Sequence, residues 1–89
     1  MLKITEGKPD RQTVTLCLEG NIVGPWVEEL SHVCEPLIKE GCLLRLELAN
    51  VDFADEAGVV ALTGLMARGV ELLNVTPFVA KQLNLGRSA

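Results

Sequence analysis

A run of eleven residues without a charged side chain, Ala57–Ala67, constrains this fold more than any other feature of the chain. It begins directly behind three carboxylates, Asp52, Asp55 and Glu56. Carboxylates favour the N-terminus of a helix, so the segment predicts a helix over residues 55–68. A helix on a protein surface normally keeps a polar face, whereas this one is apolar nearly all round. It must therefore bury both sides or present one of them to a partner.

The predicted helix has one side of large residues and one side of small residues when it is plotted at 100° per residue. The first side, which we expect to face a sheet, comprises Gly58, Val59, Leu62, Thr63, Leu65 and Met66. The second side comprises Ala57, Val60, Ala61, Gly64, Ala67 and Arg68. Because four of these six residues are alanine or glycine, another backbone can approach closely. Either a neighbouring helix of the same domain covers this side, or it docks a partner.

Length and composition predict one small globular domain. With 89 residues, the chain is expected to fold as a single unit over residues 1–89. A net charge of −4 without a basic run argues against a nucleic-acid partner. The longest uncharged run is too short to span a bilayer, and the N-terminus lacks the apolar core of a signal peptide. We therefore expect no membrane insertion and a cytoplasmic location.

Residues that carry chemistry are sparse. Cys17, Cys34 and Cys42 form no C-x-x-C pair and are expected to be buried, reduced thiols without a metal. His32 is the only histidine, and it falls in a different predicted element from the carboxylates. Neither G-x-x-x-x-G-K nor G-x-G-x-x-G occurs, so a phosphate-binding loop is missing. We expect no enzymatic activity and no cofactor, and we interpret the carboxylates as helix-capping groups.

Alternating apolar residues, turn residues and capping residues predict the remaining elements. The first half is predicted to contain a strand at Leu2 and Ile4, a turn over Gly7–Asp10, a strand over Thr13–Glu19, a short third strand over Asn21–Val23 and a helix from Pro25 to Gly41 that Pro36 kinks or divides. The second half is predicted to contain a strand over Cys42–Ala49, a loop over Asn50–Ala54, the helix over residues 55–68, a strand over Val70–Val75 and a helix from Phe78 to about Leu85. Thr76 is the expected N-cap of this last helix. This order predicts an α/β fold, a mixed four- to five-stranded sheet with about three helices that cover chiefly one face.

The segment Phe53–Val59, with the strand Leu46–Val51 before it, resembles the signature of the STAS domain. This family comprises the anti-sigma factor antagonists and the cytosolic domains of sulfate transporters. Its usual form is a hydrophobic strand, a short Val-x-Phe loop and then Asp-Ser-Ser-Gly at the start of a helix. Asp55 and Gly58 match the aspartate and glycine, and the order of elements over residues 2–85 is the family's. The resemblance implies a small single-domain STAS fold.

The chain departs from the family at the serine that is phosphorylated in the antagonists. There, a partner anti-sigma kinase modifies the second serine of the motif, and a phosphate of about −2 charge then blocks binding. This sequence has Ala57 at that position and Glu56 before it. Thr63 is expected to face the sheet and to be a poor substitute. Three interpretations stay open. The domain binds its partner constitutively, Glu56 partly mimics the phosphorylated state, or the domain belongs to a different system, such as a transporter or a multiprotein sensory complex.

Together, the helix pattern and the resemblance predict a non-catalytic domain that regulates transcription or signalling in bacteria by binding a protein partner. That partner is expected to be an anti-sigma factor, a related kinase or a transporter component. The expected docking surface comprises Asp52, Asp55, Glu56, Ala57, Val60, Ala61 and Gly64, and family topology adds Asn21 beside it. The alternatives are a STAS subunit of a transporter or sensory complex and a module that binds a small ligand, either a nucleotide or a lipid.

Overall fold

The computed structural model describes residues 2–7 and 12–83, which fold around one four-stranded sheet. The elements are β1 (Leu2–Glu6), β2 (Thr13–Ile22), α1 (Pro25–Lys39), β3 (Leu43–Ala54), α2 (Glu56–Ala67), β4 (Glu71–Leu73) and α3 (Pro77–Gln82). The strand order is β1-β2-β3-β4, in which β1 is antiparallel to β2 and the other neighbours are parallel. The predicted α/β fold, with a mixed sheet of four to five strands and about three helices, is confirmed.

The core lies between the sheet and the helices. Strand alternation points Leu16 and Leu18 of β2 and Leu46 of β3 into it, each at most 1% exposed. Leu30 of α1 and Leu62 of α2 meet them from the helical side and are fully buried. The alternate positions of β2 are half-buried or exposed, as the sequence pattern predicts for a strand that buries one side.

Two predicted divisions of an element are absent from the structure. Residues 21–22 continue β2 instead of forming a third strand, because Gly20 adopts a φ of 108° and the strand passes through it. α1 is one helix despite Pro36, since buried Leu30 and Cys34 hold the turns on either side against the core. Most of the predicted turn over Gly7–Asp10, together with the end of the last predicted helix beyond Leu83, lies outside the described residues.

The loop predicted over Asn50–Ala54 is wrong, because these residues form the second half of β3. The pairing of β2 with β3 shifts register twice, between Cys17 and Glu19 and between Gly20 and Asn21, and β3 carries the extra residue each time. Such bulges interrupt the two-residue period of a strand, so the sequence pattern here is typical of a loop. As a consequence, Asp52 lies within β3, and Asp55 and Glu56 follow a hydrogen-bonded strand rather than a loop.

The outer edge of β3 is only partly covered by β4, which pairs with residues 45–47. Beyond residue 47, this edge of β3 is contacted by α3 instead of a strand. The Gln82 side chain accepts a hydrogen bond from the Ala54 N–H at 3.1 Å and donates one to the Ala54 carbonyl at 2.7 Å. The Thr76 hydroxyl donates to the Val51 carbonyl at 3.2 Å, and it caps α3 as predicted by accepting from the Val79 N–H at 3.4 Å. These contacts fix α3 beside the start of α2.

Candidate protein-docking site

Asp55 holds the start of α2 against the loop between β2 and α1. It is the N-cap of α2, and its Oδ1 accepts a hydrogen bond from the Gly58 N–H at 2.7 Å. Its Oδ2 accepts from the N–H of Gly24 at 2.9 Å. The hydrogen bond from Gly24, followed by the one from Gly58, lowers the pKa of the Asp55 carboxyl below its ordinary value. Both carboxylate oxygens are therefore engaged within the domain, which makes Asp55 a support of the predicted surface.

Gly58 allows α2 to lie directly on the end of β2. A Cβ atom at this position would lie 2.3 Å from the Ile22 carbonyl oxygen and 3.2 Å from the Ala54 Cβ. The Asp55 N–H also donates to that Ile22 carbonyl at 3.1 Å. The aspartate and the glycine of the motif thus act together, since one ties the helix start to two backbone segments and the other removes the side chain that would keep them apart.

The small-residue side of α2 is open over its middle turns. Val60 is 66% exposed, and Ala57, Gly64 and Ala67 are exposed beside it. Apart from the adjacent backbone of α2 itself, no atom of the described residues would lie within 4 Å of a Cβ atom on Gly64. Hence a neighbouring helix does not cover this side among residues 2–7 and 12–83. The exposed side of α2, defined as Ala57, Val60, Ala61 and Gly64, is called the α2 face below.

An ion pair joins α1 to the C-terminal end of α2. The Arg68 guanidinium pairs with the Glu35 carboxylate, and both side chains remain about two-fifths exposed. The hydrogen bond from Arg68 is the main cause that lowers the pKa of Glu35. An exposed pair of this kind adds little stability.

The core-facing side of α2 is narrower than the sequence predicts. Its buried residues are Gly58, Leu62 and Leu65, and Val59 is partly buried against the core beside them. Thr63 is exposed, so the expectation that it faces the sheet is wrong. Ala61 is half-buried, at the margin of the side that the sequence pattern assigns to it.

Exposed carboxylates lie at the end of β3 and the start of α2, and an exposed aromatic pair joins β3 to α3. Asp52 and Glu56 are exposed, as predicted for docking residues. Phe53 and Phe78 are 40% and 56% exposed, and their rings stack with centroids 6.2 Å apart. The sequence does not predict this pair, because its only local signal is an aromatic residue in a stretch whose pattern is typical of a loop. Asn21 is half-buried and is the register partner of Phe53, which places it at this end of the sheet.

All three cysteines are free thiols, and they differ in burial. Cys34 is buried, and its burial, assisted by the charge of Glu35, raises the pKa of the thiol to about 11. Cys17 and Cys42 are free thiols as well, but they are half-buried. Within residues 2–7 and 12–83, no three histidine, cysteine, aspartate or glutamate side chains are grouped to hold a metal ion. None of the helices described is long and apolar enough to cross a membrane.

No family model and no curated protein sequence matches the chain, but solved structures do. The anti-sigma factor antagonist SpoIIAA in its unphosphorylated form is 22% identical, with a TM-score of 0.76 over 98% of this chain and 89% of that one. The phosphorylated form of the Bacillus cell fate determinant SpoIIAA is 22% identical, with a TM-score of 0.74 over 92% of this chain and 81% of that one. A STAS-domain antisigma-factor antagonist from Rhodobacter sphaeroides is 14% identical, with a TM-score of 0.66 over 82% and 86%. Likeness at these identities shows the fold, and this chain therefore has the fold of the STAS-domain anti-sigma factor antagonists.

Proposed function

We propose that this chain is a non-catalytic regulatory STAS domain that binds a protein partner through the α2 face. The exposure of Val60 carries the proposal, since an apolar side chain that is 66% exposed stands in the middle of a face without charge. Contiguous apolar surface with a polar rim is typical of an interaction site. Asp52 and Glu56 form that rim, Asp55 holds the start of α2, and Asn21 lies at the same end of the sheet as the register partner of Phe53.

The partner that fits this proposal best is an anti-sigma factor or a related kinase in the bacterial cytoplasm. Two SpoIIAA structures with the same fold carry the description of anti-sigma factor antagonist or cell fate determinant, in the unphosphorylated and phosphorylated forms. The exposed carboxylates of Asp52 and Glu56 favour a partner surface that carries lysine or arginine around an apolar centre. A transporter or sensory component with that surface is the alternative partner for the same face.

Binding by this chain is proposed to be constitutive. Ala57 is exposed in the first turn of α2, at the position where the resemblance expects the phosphorylated serine, and it has no hydroxyl group. Without a phosphate, no additional charge has to be desolvated in the contact. Glu56 carries a single negative charge on the rim, so it adds to the acidic border of the α2 face rather than to its apolar centre.

A charged substitution at Gly64 tests the docking face. Because no atom of the described residues outside the adjacent backbone of α2 lies within 4 Å of a Cβ atom there, Gly64→Arg leaves the fold intact while it places a long cation in the contact. The partner encoded beside the gene is co-purified with the chain, and the Kd is measured by calorimetry. We expect binding at least about thirtyfold weaker, as for the loss of an interface hot spot.

Ala49→Arg is the matched control, because Ala49 is exposed on β3 and lies outside the α2 face. It should bind the partner like the unmodified chain, and both variants should show native denaturant unfolding curves. Equal Kd values for Gly64→Arg and Ala49→Arg would place the docking site elsewhere on the molecule.

A further inference from the structure

A second candidate surface lies at the β1 edge of the sheet, away from the α2 face. β1 is the outermost strand, and among residues 2–7 and 12–83 it pairs with β2 alone. One side of its backbone therefore presents unpaired N–H and C=O groups. Beside this edge, a groove of about 280 Å³ runs between β1 and α1. Its lining residues are Leu2, Ile4, Glu6, Leu16, Trp26, Glu29 and Val33.

The groove is apolar with an acidic border. Leu2, Ile4 and Glu6 alternate along β1, so the same side of the strand supplies two apolar walls and one carboxylate. Glu29 brings a second carboxylate from α1, and both glutamates are exposed. The described lining includes no basic side chain to neutralise them. A ligand of this groove is therefore expected to be apolar in the middle and cationic at its ends.

We propose that the β1–α1 groove binds an extended basic peptide segment of a partner protein, which adds a fifth strand to the sheet at β1. The free edge of β1 supplies main-chain pairing, and alternate side chains of the segment enter the groove. Its lysine or arginine side chains pair with Glu6 and Glu29. The groove, of about 280 Å³, lies at the lower end of the ~300–1,000 Å³ range of ligand sites and has room for individual side chains of such a segment.

The acidic border also argues against a second copy of this chain in the groove. A neighbouring β1 would bring its own Glu6 to a site where Glu6 and Glu29 are already exposed, and like charges on adjacent strands repel. The two proposed surfaces therefore differ in kind, since the α2 face presents a helix and β1 presents the edge of a strand.

The peptide acetyl-Arg-Thr-Leu-Thr-Val-Thr-Arg-amide is the probe, because its alternate residues place two cations and two apolar side chains on one side. We expect its titration to shift the amide resonances of β1 and the first half of α1, but not those of α2. Bound peptide should also slow hydrogen exchange of β1 amides, which a side-chain contact alone does not do. A peptide with glutamate in place of both arginines is expected to bind at least tenfold more weakly.

A comparison of Glu29→Gln with Glu28→Gln distinguishes a contact inside the groove from a general effect of the negative charge on α1. Both glutamates are exposed in the first turns of α1, but only Glu29 lines the groove. Glu29→Gln should weaken the arginine peptide about two- to fivefold, the range of an exposed ion pair, while Glu28→Gln leaves the Kd unchanged. No shift in β1 at millimolar peptide, equal binding of the two peptides, or self-association of the chain through β1 in sedimentation equilibrium would each overturn the proposal.

Discussion

At the scale of single residues, Asp55 and Gly58 fix the start of α2 against the end of β2 and the loop that follows it. Asp55 is bonded through both carboxylate oxygens to backbone N–H groups 2.7 and 2.9 Å away, and Gly58 removes a Cβ atom that would collide with the Ile22 carbonyl. The sequence predicted the capping role from the position of an aspartate before a helix. It could not show that the second oxygen reaches Gly24, because that residue is 31 positions away in the chain.

Gly58→Ala is expected to destabilise the fold by about 2–3 kcal/mol. The added Cβ atom lies 2.3 Å from a backbone oxygen, which no side-chain rotation can relieve, and overpacking of this kind typically costs ~1–3 kcal/mol. Gly64→Ala is the control on the same helix, and it should stabilise by roughly 0.5–1 kcal/mol, because alanine is the better helix former. Urea unfolding measures both, and changes of the same sign would contradict the assigned role of Gly58.

Titration of Asp55 should make the free energy of unfolding depend on pH. Its pKa is lowered in the folded protein, so its contribution is present above the ordinary carboxyl pKa and is lost as the pH falls through the lower folded value. Asp55→Asn removes the titrating group while keeping one acceptor oxygen. The difference in free energy of unfolding between the two proteins should be constant from pH 7 to about 5 and should shrink below about pH 4. A difference that persists undiminished at pH 3 would contradict this.

The variant Ala57→Ser tests whether the chain lacks phosphorylation only because position 57 has no hydroxyl group. With an anti-sigma kinase and labelled ATP, we expect no phosphate on the unmodified chain and incorporation into the Ala57→Ser variant, because position 57 is exposed. Thr63 is the exposed hydroxyl on the same helix, so Thr63→Val is included as the control. Labelling of the unmodified chain that disappears in Thr63→Val would show a switch at Thr63 and contradict constitutive binding.

At the scale of elements, prediction succeeded where the signals are local. The alternation of Val14, Leu16 and Leu18, the N-cap Thr76 and the left-handed Gly69 are each visible in a few neighbouring residues, and the structure contains the expected strand, helix start and turn. The extension of β3 was missed, because its two bulges are defined by pairing with β2. The same holds for the side-chain contact of Gln82 with Ala54, which joins residues 28 positions apart.

Gln82→Ala is expected to loosen α3 from β3. Ala54 is 1% exposed, so the loss of the amide leaves its N–H and carbonyl without their present partner, which costs about 1–3 kcal/mol. Lys81→Ala is the neighbouring control, since Lys81 is exposed and should change stability little. Denaturant unfolding compares the two, and equal effects would show that the Gln82 contact is not a significant support of α3.

At the scale of the whole molecule, the two proposed contact surfaces differ in kind and in their place on the fold. The α2 face lies over the parallel part of the sheet, and the groove lies at the antiparallel β1 edge. The sequence predicted the overall fold because the order of strands and helices leaves few ways to build a mixed sheet. It predicted the position of the α2 face from the charge pattern of one helix. The aromatic pair of Phe53 and Phe78 arises only when α3 packs on β3.

The contact of Val60 with a bound partner tests the central proposal most directly. In a complex of methyl-labelled chain with unlabelled partner, cross-saturation from the partner is recorded at the methyl groups of Val60 and of Leu43. These side chains are 66% and 63% exposed, but only Val60 belongs to the α2 face. We predict strong saturation transfer to Val60 and none to Leu43. Transfer to Leu43 or to the β1–α1 groove, with Val60 unaffected, would contradict docking on the α2 face.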